Sequence, residues 1–218
     1  MIIVPIEIDV AQNLVKEAKE RGKGRNFRQT VDVTFNLKEF DVKDQKNRIN
    51  EDVLLPNGRG RDIKICVVAG GDMALRAKDL GAGVLMREDL DSISKDKKKV
   101  KAISAEYDYF IAQADMMPLV GRTLGSVLGP RGKMPKPVPP NANIDGMIER
   151  LSKTVTIRTQ RDQPIINSSV GTEAMDDREL AENLRSLVEA VERTLPRADQ
   201  NIGSIVVKTT MGSPVEAP

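Results

Sequence analysis

Ile63-Lys-Ile-Cys-Val-Val-Ala-Gly-Gly-Asp72 is a nearly unbroken apolar run closed by two glycines and an acid. A run without alternation predicts a strand buried on both faces, the kind found in parallel sheets covered by helices. Gly70-Gly71 turns the chain and Asp72 is placed to cap the helix that follows. That helix, Met73–Leu80, is broken by Gly81-Ala-Gly83. Further on, the same rhythm repeats. Val84–Met86 reads as a short strand, and Asp89 to about Val100 as one helix with Lys97, Lys98, Lys99 and Lys101 towards its end. Tyr109–Ala112 reads as a third strand, and Pro118 starts another helix. Alternating elements of this length predict parallel strands joined by crossover helices. The dinucleotide fingerprint is missing, because positions 70, 71 and 72 are Gly, Gly and Asp where G-x-G-x-x-G is required. Close strand-to-helix packing accounts for the glycine pair instead.

Moving outward, the pattern changes on both sides. Ala11–Arg21 predicts a helix with Leu14, Val15 and Ala18 on one face, ended by Gly22 and Gly24. From Gln29, Val31, Val33, Phe35 and Leu37 alternate with Asp32, Thr34 and Asn36, the mark of a half-buried strand. A polar segment from Lys38 to Asp52 leads to Val53-Leu-Leu-Pro-Asn-Gly-Arg-Gly60 and its turn residues. Towards the C-terminus, Ile144, Ile148 and Leu151 mark a short helix, while Val155, Ile157 and Ile165-Ile166 mark strands. Asp176–Leu195 is the clearest helix: Leu180, Leu184, Leu187, Val191 and Leu195 share a face, and Asp176, Asp177 and Glu179 favour its N-terminus. Ile205-Val-Val-Lys-Thr-Thr210 closes the chain as a strand running into a turn. Each end leaves one apolar face open and is too small to fold alone. The expected fold is therefore α/β with two domains. Residues 1–64 and 153–218 form an outer α+β domain, and residues 65–152 an inserted, Rossmann-like α/β domain.

Composition limits the chemistry. The 218 residues include no His and one Cys, Cys66, inside the apolar run. Imidazole bases, His metal ligands and the usual triads are excluded together. Cys66 reads as a buried structural thiol. Aromatic residues make up only 3%, which argues against a sheet faced with stacking rings for RNA. Net charge is +2, with 15 Lys and Arg against 11 Asp and Glu in residues 64–155. Any nucleic-acid site must then be a local patch. No leader or membrane-spanning run is visible, so the expectation is a cytoplasmic protein with no membrane contact, no metal and no cofactor.

Between the two readings lies Val120–Asn141, with four glycines, five prolines and four cations, Arg122, Arg131, Lys133 and Lys136, and no acid. Glycine and proline together predict an irregular but stiff loop, with no helix beyond Leu128 and no core strand. A flexible linker would share this composition. Leu124, Val127, Leu128, Met134 and Val138, threaded through it, argue for anchoring. The phosphate-loop motif fails twice: it needs Gly where Val127 stands and Ser or Thr where Met134 stands.

Gly121-Arg-Thr-Leu-Gly-Ser-Val-Leu-Gly-Pro-Arg-Gly-Lys-Met-Pro-Lys-Pro137 resembles the central signature of the family of the ribosomal large-subunit stalk protein numbered one, in its archaeal-type form. Two more stretches resemble that family: Arg25-Asn-Phe-Arg-Gln-Thr-Val-Asp32 and Ser204-Ile-Val-Val-Lys-Thr-Thr-Met-Gly212. The resemblance implies the same inserted-domain architecture and no enzymatic activity. It implies a structural protein that binds large-subunit rRNA at the mobile stalk near the tRNA exit site, contacts the exit-site tRNA, and represses translation of its own mRNA. It also implies a monomer outside the ribosome. Carried over, the RNA-binding residues are Phe27, Arg28, Thr30, Asp32, Ser204, Lys208, Thr210, Met211 and Gly212. Their chemistry suits that role. Thr210 offers a hydroxyl to phosphate or ribose, Met211 an adaptable apolar face, and Gly212 close backbone approach. Asp32 can accept from a ribose hydroxyl or base amine, which adds specificity more than affinity. Phe27 also reads as a core aromatic flanking the strand. An alternative stays open from another class: a small-molecule or nucleotide-dependent enzyme that holds phosphate among Arg122, Arg131 and Lys133 of the inserted loop.

Overall fold

Strict alternation from Val31 onward becomes β1 (Thr30–Leu37), in which half-buried and buried residues take turns along the whole strand. The computed structural model describes residues 6–42, 48–94, 96–140, 142–160 and 163–217. The chain divides into two compact units, Met1–Arg61 with Lys153–Pro218, and Asp62–Ser152.

In the first unit, α1 (Ile8–Arg21) precedes β1, and β2 (Asn50–Leu54) follows it. The remaining elements come after the excursion: β7 (Thr154–Thr159), β8 (Ile165–Thr172), α8 (Asp177–Thr194), β9 (Ile202–Thr209) and β10 (Val215–Glu216). They make a six-stranded antiparallel sheet in the order β10-β9-β1-β8-β7-β2. Val31, Val33 and Phe35 of β1, Ile205 and Val207 of β9 and Ile166 of β8 point to one face. There they pack with Leu14, Val15 and Ala18 of α1 and Leu180, Leu184 and Leu187 of α8. Each Leu or Ile fully removed from water there contributes about 1.5–3 kcal/mol. Both helices serve this one face, so among the described residues this unit's own elements leave the other sheet face uncovered. That face carries Asp32, Thr34, Asn36, Ser204 and Lys208, all half-buried. The β10 strand was not expected from the sequence, since two residues carry no period.

The second unit holds β3 (Ile65–Val68), α2 (Gly71–Asp79), β4 (Gly83–Leu85), α3 (Arg87–Ser94), α4 (Lys97–Glu106) and β5 (Tyr109–Gln113). After these come α5 (Met117–Thr123), α6 (Gly125–Arg131), β6 (Lys136–Val138) and α7 (Ile144–Ser152). Its parallel sheet runs β4-β3-β5-β6. Cys66 and Val68 face one apolar cluster, which includes Leu90, Phe110, Leu124 and Leu128. Ile65, Val67 and Ala69 face the other, with Met73, Ile111, Ile144 and Leu151. This division explains the unbroken apolar run: every side chain of β3 has a core to enter. Cys66 lies in it, and burial, helped by the charge of Glu106, pushes its thiol up to about 12.

Three expectations are corrected. Asp72 does not cap α2; Gly70 holds that position and Asp72 lies in the first turn. The single helix over Asp89–Val100 is two helices. Asp96 is the N-cap of α4 and accepts from the Lys98 amide at 2.9 Å, so Lys98, Lys99 and Lys101 open a helix instead of ending one. The Gly/Pro stretch is also more regular than its composition suggests. Helix α6 continues past Leu128 to Arg131 with Pro130 inside it. In a helix this short, proline removes one hydrogen bond. Gly132, left-handed at φ 70°, then donates to Gly129, and Lys133 donates to Leu128, both at 3.0 Å. Pro137 sits in β6 because β6 is an edge strand, paired on one side only.

Candidate nucleic-acid interface

The interface candidate is built where α1 ends, β1 begins and β9 turns. Gly22 closes α1: its amide donates to the Lys19 carbonyl at 3.1 Å, and the Lys23 amide donates to the Glu20 carbonyl at 3.4 Å. The chain then runs outward through Arg25, Phe27 and Arg28, all exposed, before Thr30 enters the sheet. Phe27 is 51% exposed, so it is not a core aromatic. Across from it β9 ends at Thr209, and Thr210-Met211-Gly212 turns the chain back. Met211 is 57% exposed. Two large apolar side chains thus stand open in one unit among polar neighbours.

The turn is held from several sides. The Thr210 amide donates to the Thr30 carbonyl at 3.0 Å. Its hydroxyl accepts from the Thr30 amide at 3.2 Å and donates to the Thr30 carbonyl at 3.3 Å. Thr210 therefore locks the start of β1 to the end of β9, with an oxygen lone pair left over. Gly212 donates to the Thr209 carbonyl at 3.1 Å. A Cβ on Gly212 would lie 2.3 Å from Thr209 Oγ1 and 3.1 Å from the Gly22 Cα. Glycine is required here by the protein's own packing, chiefly the Thr209 side chain, whatever else approaches.

On the uncovered face, register puts Asp32 opposite Lys208 on β9 and Ser169 on β8. Burial pushes the Asp32 carboxyl above the usual carboxylate range, and the Lys208 charge partly opposes this. Two polar pairs follow along the same face. Asn36 donates to Ser204 Oγ at 2.7 Å, and Thr34 donates to Asn167 Oδ1 at 2.9 Å. Such a face offers hydroxyls, amides, a carboxylate and an ammonium at fixed spacing, with little net charge. It can read shape and hydrogen-bond pattern better than it can attract a polyanion.

Phe27, Arg28, Thr30, Asp32, Ser204, Lys208, Thr210, Met211 and Gly212 therefore belong to one unit, on β1 and β9 or in the segments that lead into β1 and out of β9. Arg122, Arg131 and Lys133 belong to the other unit and do not form a phosphate cradle. Arg131 donates to Ser104 Oγ at 3.0 Å. Lys133 donates to the carbonyls of Ser104 and Tyr107 at 3.0 and 2.7 Å, at the end of α4. Arg122 is exposed on α5. Among the described residues no His, Cys, Asp or Glu cluster could hold a metal, and no helix is long and apolar enough to cross a membrane.

Sequence reasoning missed Gln29. Its side chain is buried, at the junction of β1, α1 and the Thr210–Gly212 turn. A signal existed: Gln29 is in phase with Val31, Val33 and Phe35, so the period assigns a polar residue to the core face.

The model of the Ribosomal protein L1p/L10e family matches residues 14–213. The chain belongs to that family. It is 50% identical over 202 residues to the large ribosomal subunit protein uL1 of Methanothermococcus thermolithotrophicus, covering 93% of this chain and 94% of that protein. Against the uL1 protein of Methanothermobacter thermautotrophicus it is 48% identical over 199 residues, with 91% and 93% covered. Membership makes it a structural ribosomal protein. The enzymatic alternative is overturned by that membership, and two of its three phosphate ligands, Arg131 and Lys133, are engaged at the end of α4.

Proposed function

We propose that the uncovered face of the six-stranded sheet, with Phe27 and Met211 at one end, binds large-subunit rRNA. The observation that supports this is the meeting of Arg25–Asp32 and Ser204–Gly212 at one junction of β1 and β9, where Thr30 bonds Thr210 from 180 residues away in sequence. In this reading Met211 and Phe27 pack on a base or sugar, Lys208 and the exposed Arg28 meet phosphate, and Asp32 accepts from a ribose hydroxyl or base amine. Thr210 supplies a remaining lone pair to a ribose hydroxyl while holding the turn. The same surface serves the chain's own mRNA in translational repression when that mRNA presents the rRNA-like shape. The inserted unit faces the exit-site tRNA at the mobile stalk.

The experiment is salt-dependent filter binding to folded large-subunit rRNA. Met211→Ala should weaken binding about tenfold at every salt concentration, leaving the slope of log K against log salt unchanged. Lys208→Ala should flatten that slope by about 0.9 if it meets one phosphate. If Met211→Ala binds as the parent does, RNA does not sit on this turn.

A further inference from the structure

Gln29 makes the contacts that fix the proposed RNA-binding turn in place. Its side-chain oxygen accepts from the Met211 amide at 3.0 Å. Its side-chain nitrogen donates to the Gly22 carbonyl at 2.8 Å and to Glu173 Oε2 at 3.1 Å. The main chain of Gln29 is held by the same partner. Its amide donates to Glu173 Oε1 at 2.9 Å, and its carbonyl accepts from the Glu173 amide at 3.0 Å. Only one orientation of the side-chain amide satisfies all three partners, because an N–H faces one end and a carbonyl and a carboxylate face the other. One buried side chain thereby joins the end of α1, the start of β1, the residue after β8 and the turn after β9.

We infer that Gln29 is a positioning residue for RNA binding: with Glu173 it sets the orientation of Met211 and Thr210. This rests on the reading of the turn as the rRNA contact. No hydrophobic residue and no carboxylate can substitute at this position. Leucine would orphan the Met211 amide and the Gly22 carbonyl. Glutamate would still accept from Met211, but it would set a second carboxylate against Glu173 and lose both donors. Exposed Met211 cannot hold itself; what lies beneath it determines where it points.

The test uses the full-length chain and folded large-subunit rRNA of Methanothermococcus thermolithotrophicus. Two readouts run in parallel: rRNA affinity, and hydrogen exchange of the Met211 amide relative to that of Val207 within β9. Gln29→Leu should lower affinity tenfold or more and speed Met211 exchange tenfold or more, with Val207 exchange changed less than threefold. Gln29→Glu should also lose affinity. Adding Glu173→Gln to it should recover part of that affinity, because it restores a donor and acceptor between the two side chains but not the donor to the Gly22 carbonyl. An unchanged Met211 exchange rate in Gln29→Leu, or affinity within twofold of the parent, overturns the proposal. So does a paired swap that binds no better than Gln29→Glu alone, which would assign the loss to general loosening. If the parent itself does not bind the rRNA, the reading of the turn as an RNA contact fails. The clamp is then decided by the exchange rates alone.

Discussion

Asp32 sits on a face proposed to meet a polyanion, and its own fold disfavours its charge. Burial raises its carboxyl above the ordinary value, with Lys208 opposing. Below the ordinary value the carboxyl is neutral in both folded and unfolded chains and costs nothing. As pH rises through that value the unfolded chain ionises first, so the fold loses stability until the folded carboxyl ionises too. Asp32→Asn should therefore raise the melting temperature at pH 7 and leave it unchanged at pH 3. If the carboxylate accepts from RNA, the same variant should bind rRNA several-fold more weakly at pH 7. Melting curves at both pH values and one binding isotherm check this. A variant that is both less stable and equally good at binding would remove Asp32 from the interface. Residues that cost stability where a partner would approach are characteristic of binding surfaces. At this scale the exposed members of the candidate site were named from short stretches of sequence that resemble a known family. Gln29 was not: its phase marks it as buried, but its role depends on Gly22, Glu173 and Met211, which lie in three other parts of the fold.

Helix α4 ends against Arg131 and Lys133, which follow it by a whole strand and two helices. Lys133 accepts no role in a phosphate site while its ammonium binds the carbonyls of Ser104 and Tyr107. Cations at a helix C-terminus are favoured by its macrodipole as well as by the bonds themselves. Arg131→Ala with Lys133→Ala should destabilise the inserted unit by about 3 kcal/mol or more, from one charge-assisted hydrogen bond lost at Arg131, two at Lys133 and unpaired carbonyls left behind. Affinity for large-subunit rRNA should change less than threefold. Denaturant titration and filter binding measure the two separately, and a tenfold loss of affinity in a fully folded variant would place RNA on the wrong unit. The elements themselves show which signals sequence carries. Long periodic segments, β1 and α8, were legible because every second or every third to fourth residue repeats the same choice. The break between α3 and α4 was not, since Asp96 reads equally well as a surface acid or as a cap. The regular structure within the Gly/Pro stretch was hidden for another reason. Composition reports what glycine and proline cost on average, and α6 and β6 place them at a helix end and on a sheet edge, where the cost is small.

Strands β2 and β7 explain how the whole chain is arranged. Leu54 pairs with Thr154, and the Leu55 amide donates to the Lys153 carbonyl at 2.9 Å. The chain thus leaves the six-stranded sheet and re-enters it on neighbouring strands, with Asp62–Ser152 between departure and return. Sequence showed the complementary open faces of the two termini; it could not show that these two strands are neighbours, because pairing register has no local signature. The six-stranded sheet and its two helices share one apolar cluster that, among the described residues, draws on none of the other unit. Removing residues 62–152 and joining Arg61 to Lys153 through a few Gly and Ser residues should therefore leave a folded domain. Its circular dichroism should match mixed α and antiparallel β structure, and its unfolding should remain cooperative. The shorter closed loop also costs less entropy than the natural excursion, by a term that grows only slowly with length. If the proposed interface is complete within this unit, the shortened protein should bind folded large-subunit rRNA within about threefold of the full chain, with the same salt slope. Binding lost from a folded domain would mean that the inserted unit supplies rRNA contacts, and the sheet face alone would no longer account for recognition.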